Sequence, residues 1–174
     1  QGRPNSDPLA LLESLRRHAG RLHIFCQSGR IQIPKSQERL FTYLEDSVIQ
    51  VFPRGGGVFH PKLWLLKFIS SLGQTVYRLL CLSRNLTFDR SWDTILCLDG
   101  QVIESGDRDG NQPLLGFLED LPDLAVHPLS ESAAESLALF AHELRNVHFD
   151  VPEGFHGLAF HPLRTPPTDQ FSFP

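Results

Sequence analysis

Phe59-His60-Pro61-Lys62-Leu63-Trp64-Leu65-Leu66, followed by Leu82-Ser83-Arg84-Asn85-Leu86-Thr87, sets the architecture of this chain. Side chains two apart on a β-strand share a face, so His60 goes with Lys62 and Ser83 with Asn85. An antiparallel hairpin keeps the sum of facing residue numbers constant, and 145 fits both pairs, with His60 facing Asn85 and Lys62 facing Ser83. That register sets Ser70 opposite Thr75 and leaves Ser71-Leu72-Gly73-Gln74 as a four-residue loop containing Gly. The expectation is one hairpin that gathers four polar side chains at one end.

An imidazole, an ammonium, a hydroxyl and a carboxamide with no carboxylate among them suit an anionic guest. Lys62, Ser83 and Asn85 can hold phosphate oxygens, with Arg84 beside them a further candidate for substrate contact, and a neutral His60 ring can attack phosphorus to give a covalent intermediate. His-x-Lys alone recurs by chance, and its plain alternative is a structural His beside a surface Lys. The Ser-x-Asn pair in matching register favours the chemical reading.

From Val58 to Leu98 these residues resemble the signature of the phospholipase D superfamily of phosphodiesterases. With Asn85-Leu86, Asp89 and Trp92, and without a downstream acid, the pattern is most similar to the tyrosyl-DNA phosphodiesterase and restriction-nuclease branches. Two positions depart from the common pattern: Lys67 stands where it has an Asp, and Leu82 where it has a Gly. Neither is the nucleophile. The family's active site uses two such motifs, from a tandem repeat or two subunits, and this chain carries one. The resemblance thus implies metal-independent phosphodiester cleavage through a phosphohistidine at His60, with no cofactor. The second His would come from a homodimer partner or a C-terminal half outside the sequence.

The chain has 174 residues and 41% hydrophobic content, enough for one core. The absence of Met suggests an excised or processed segment. No apolar run is long enough to cross a bilayer and the N-terminus lacks a signal-peptide core, so the reading is a cytoplasmic protein without membrane attachment. Cys26, Cys81 and Cys97 lie in apolar strand-like runs and read as buried thiols. His127, His142, His148 and His156 lack metal-site spacing, so no metal site is expected.

The net charge of −4 hides an asymmetry that bears on the partner. From Pro53 to Trp92 there are six Lys or Arg and one acid, whereas Asp99 to Glu153 has twelve acids and two bases. Positive potential sits with the motif, as a nucleic-acid substrate requires. Solvated strand-end charges are the bland alternative. A phospholipid or another phosphodiester is the rival substrate, and a non-catalytic assembly module the rival role.

Along the chain, Ser6 or Asp7 caps a helix with Leu11, Leu12, Leu15 and Ala19 on one face, ended by Gly20. Leu22 to Cys26 reads as a strand whose following loop holds Gln27, Ser28 and Arg30, candidates for substrate contact, though a plain turn is the simpler reading. A short helix opened by Pro34 and Ser36, with Leu40, Phe41 and Leu44 inward, leads to a strand over Val48 to Phe52, implying a parallel crossover. Arg54-Gly55-Gly56-Gly57 lets the chain turn into the His60 strand, and that strand, apolar on both faces, is expected to be central. Thr94 to Leu98 follows as a third strand with Asp93 at its start, placed either to orient an imidazole or to pair with Arg84 or Arg90. Pro113 starts a helix with Leu114, Phe117, Leu118 and Leu121 inward. Ser132-Ala133-Ala134-Glu135 reads as the capping box of a longer helix with Leu137, Phe140, Ala141 and Leu144 buried. Gly157 to His161 is strand-like.

The fold expected is therefore α/β: a mixed, mostly parallel sheet carrying the antiparallel motif hairpin, with helices on both faces, similar to one half of a phospholipase D fold. Residues 1–163 form that domain and 164–174 a Pro-rich tail or linker.

Overall fold

Short apolar runs build two sheets in the computed structural model, which describes residues 8–31, 42–85, 90–103 and 110–163. The elements in chain order are α1 (Pro8–Ala19), β1 (Ile24–Gln27), α2 (Thr42–Glu45), β2 (Val48–Val51), β3 (Leu63–Ile69), β4 (Thr75–Leu82), β5 (Ile95–Val102), α3 (Gln112–Leu124), α4 (Glu131–Leu144) and β6 (Val147–Phe149). β1 and β2 pair in parallel, as the crossover requires. β3, β4, β5 and β6 form an antiparallel sheet in that order. The fold is mixed α/β, but most of its pairing is antiparallel, which corrects the expectation of a mostly parallel sheet. The antiparallel unit is larger than expected, because β5 continues to Val102 and there recruits β6, a strand too short to stand out in the sequence.

One face of the larger sheet makes the core. Leu63 and Leu65 of β3, Tyr77 and Leu79 of β4, Leu98 of β5 and Val147 and Phe149 of β6 share it with Leu114, Leu115, Leu118 and Leu121 of α3 and Leu137, Phe140 and Leu144 of α4. Each fully buried Leu here contributes about 2 kcal/mol of transfer free energy. The other face carries Trp64, Phe68 and Ile95, which are 42%, 50% and 59% exposed. The expectation of helices on both faces is therefore not met for this sheet among the described residues. Nor is β3 central, since it forms one end of the four-strand order. Apolar residues on both faces mark two-sided burial only when both faces are covered.

The helix ends show which local signals decide. α3 begins with Pro in its first turn, as expected, but the side chain of Asn111 before it does not cap the helix. Its Nδ2 instead donates to the carbonyls of Leu144 and Val147 at 2.8 and 2.7 Å, tying α3 to the turn between α4 and β6. α4 is capped by Ser130, whose Oγ accepts from the Ala133 N–H at 3.3 Å, so the box read at Ser132 starts two residues late. Gly157 to His161 forms no strand, although Phe160 packs edge-on against Phe149 at 5.7 Å. Cys26 is half-buried and donates to the Ile49 carbonyl, but Cys81 and Cys97 are exposed, correcting the reading of three buried thiols. The caps at Ser6 and Asp7, the helix residues Pro34 to Phe41 and the tail 164–174 lie outside the described residues, as do the side chains of Leu11, Leu12 and Leu15. No described helix is long and apolar enough to cross a membrane.

Candidate active site

The hairpin register differs from expectation by one residue. Leu63 faces Cys81, Leu65 faces Leu79 and Ile69 faces Thr75, a constant sum of 144. The loop is the three residues Ser71 to Gly73, closed by Ser70 N–H to the Gln74 carbonyl at 2.8 Å, with Gly73 at φ 79°. A left-handed third loop position favours Gly, and the Ser70 hydroxyl accepts from the Leu72 and Gln74 N–H groups. By extension of this register, Arg84 lies opposite His60. Leu82 lies opposite Lys62, with the Leu82 N–H on the Lys62 carbonyl at 2.9 Å. The pairings of His60 with Asn85 and of Lys62 with Ser83 are thus corrected. β4 ends at Leu82 and the chain bends at Ser83 and Arg84, so strand alternation no longer dictates where those side chains point.

His60 itself is exposed between two fixed points. Before it, the Phe59 ring is buried against Phe117, with centroids 6.4 Å apart, and the Phe59 N–H donates to Gln27 Oε1 at 2.7 Å. After it comes the backbone bond of Lys62. Gly55, Gly56 and Gly57 at φ 107°, 93° and 100° bring the chain round to this position by a path that side chains rarely follow. The Lys62 ammonium Nζ lies 3.2 and 3.3 Å from the two ring nitrogens of His60. A cation and an imidazole therefore occupy one exposed spot.

Ser83, Arg84 and Asp93 form a second cluster one residue beyond the Lys62–Leu82 bond. The Ser83 N–H donates to the Thr94 carbonyl, and its Oγ accepts from the Thr94 N–H, both at 3.0 Å. The same hydroxyl reaches Asp93 Oδ1 at 3.4 Å, and Arg84 Nε lies 3.7 Å from that oxygen. Of the two roles open to Asp93, the ion pair with Arg84 is the one seen. Ser83 acts as a brace closing the neck of the β4–β5 connection, and Asn85 is exposed beside it.

Gln27, Ser28 and Arg30 form a third group, at the end of β1. Gln27 holds the His60 segment through Phe59, while Ser28 donates from Oγ to Gln50 Oε1 at 3.0 Å and from N–H to the Val51 carbonyl at 2.8 Å. Arg30 is exposed after the tight turn at Gly29, φ 72°. The turn reading thus holds for the backbone, and Gln27 is a positioning residue. Gln50, which faces Cys26 across the strands and accepts from Ser28, escapes sequence reasoning because a polar residue on a strand gives no signal of what it touches.

Lys67, where the resembled pattern has an acid, binds one instead. Its Nζ lies 2.6 and 2.7 Å from the Glu143 oxygens, and the buried Tyr77 hydroxyl donates to the same carboxylate. A cavity of ≈ 640 Å³ lies apart from His60, lined among others by His23, Glu45, Asp46 and His127. Among the described residues no three His, Cys, Asp or Glu gather in a metal-binding group. No protein-family profile, no curated protein and no solved structure matches the chain.

Proposed function

We propose that the chain is half of a metal-independent phosphodiesterase that works through a phosphohistidine at His60 and acts on nucleic acid. The observation that carries the reading is the Lys62 ammonium within 3.3 Å of both nitrogens of an exposed, backbone-anchored imidazole. Neutral His60 attacks phosphorus, a P–N bond forms, and the ester oxygen leaves with a proton from a second His. That His then takes a proton from water, which attacks phosphorus and frees His60. Lys62, Arg84 and Asn85 hold the non-bridging oxygens as charge builds, and Ser83 and Gln27 keep the two segments in place. The second His comes from another copy of this chain or from a C-terminal half.

Cleavage of labelled single- and double-stranded DNA and RNA in excess EDTA tests the reading, using the complete protein beside His60→Ala. The expected outcome is EDTA-resistant cutting that falls by more than about 10³-fold in the variant, with acid-labile phosphate trapped on the wild-type chain. Cutting abolished by EDTA, or equal in the variant, overturns it. Vesicle phospholipid cut in place of nucleic acid moves the substrate to the lipid rival.

A further inference from the structure

The rim around His60 carries exposed rings among basic groups. Trp92 is 100% exposed and Phe52 58% exposed, so both forgo the burial that ordinarily places aromatic side chains inside. Leaving a Trp wholly in water gives up about 2 kcal/mol or more of transfer free energy. The backbone beneath the ring is fixed all the same. Asp93 is held by Ser83 and Arg84, and Thr94 is bonded twice to Ser83, so Trp92 stands one residue before this neck. Phe52 follows β2 directly after Val51, whose carbonyl accepts from Ser28 N–H, and the adjoining Gln27 holds the Phe59 N–H next to His60. Exposed Arg30, Arg54 and Arg90 lie in the loops of this same end.

Exposed rings and cations in the loops of one end suit one ligand class, a flexible polyanion with flat apolar groups along it. We infer that this rim binds single-stranded nucleic acid, with a base stacked on Trp92 and the neighbouring phosphates led past the arginines towards His60. The inference rests on the proposed reaction at that site and names the strand state of its substrate. A duplex offers phosphates but no free base face, whereas each stacked base adds about 1–3 kcal/mol whatever its identity.

The chain contains two Trp, so Trp64→Phe leaves Trp92 as the sole indole reporter. In that background, oligo-dT titrated into the 174-residue chain should quench Trp92 fluorescence, while a duplex of equal length should not. By anisotropy, Trp92→Ala should weaken oligo-dT binding about tenfold without changing its salt dependence, and Trp92→Phe should restore most of it. Unquenched Trp92, equal affinity in Trp92→Ala, or quenching by anionic vesicles instead of oligo-dT overturns the inference. Cleavage is not read in these titrations. Quenching in a protein without His60-dependent cutting keeps the inference and removes the proposed reaction, and cutting without quenching does the reverse.

Discussion

Burial holds the His23 imidazole below the ordinary histidine range. Its Nε2 lies 3.0 Å from Ser136 Oγ, and its Nδ1 is buried without a hydrogen-bond partner among the described residues. Above about pH 6.5 the ring is neutral in both folded and unfolded chains. As pH falls below that value the unfolded chain takes up a proton that the folded chain resists, so stability declines towards the folded pKa. The urea midpoint should therefore drop between pH 7 and pH 5, and His23→Gln, which keeps a polar group for Ser136 without titrating, should flatten the drop. An unchanged slope in the variant would assign the pH dependence to other groups. At this scale His60 and Lys62 are legible in the sequence because their relation is local, two residues along one segment. Ser83 and Gln27 are legible only as polar residues near the motif. What they do depends on Thr94 and Phe59, partners that spacing does not announce.

Among the elements, β5 and β6 approach so closely at Gly100 that a side chain has no room. A Cβ there would lie 2.7 Å from Val147 Cγ1, 2.8 Å from Phe149 Cδ1 and 3.0 Å from the His148 carbonyl oxygen. The side chains can move but the carbonyl belongs to the paired strand, so Gly100→Ala should destabilise the chain by about 1–3 kcal/mol, read as a lower urea midpoint. The sequence displays strand, helix and hairpin in the right order, yet it misleads on register for a definite reason. A slip by one residue is ordinarily betrayed when apolar side chains turn to water. In this hairpin both faces are apolar, Leu63 and Leu65 on one and Trp64 and Leu66 on the other, so alternation cannot separate the two registers and the choice falls to Gly73 and Ser70 in the loop. The same two-sided pattern makes β3 look central.

Across the whole molecule, the carboxylate of Glu143 fastens α4 to the larger sheet through Lys67 of β3 and Tyr77 of β4. Lys67 and Glu143 retain 18% and 26% side-chain exposure, so the pair is partly screened, but Tyr77 is fully buried. Glu143→Ala strands both partners and should cost about 2 kcal/mol, while Lys67→Met, which leaves Glu143 bonded to Tyr77, should cost less; chemical denaturation of both variants checks the order. These pairings refine the charge asymmetry. Of the six bases between Pro53 and Trp92, Lys67 pairs with Glu143 of α4 and Arg78 with Asp99 of the neighbouring strand β5, while Arg54, Lys62, Arg84 and Arg90 lie in or beside the segments at the His60 end.

Ser83 and Thr94 bond the two strands to each other before the chain departs and after it returns, so the excursion between them is fastened like a cassette at its mouth. On the proposed reading, Arg84 and Asn85 leave this mouth and Trp92 returns to it, so the groups that hold phosphate and the ring that holds a base share one fastening and would be inherited together.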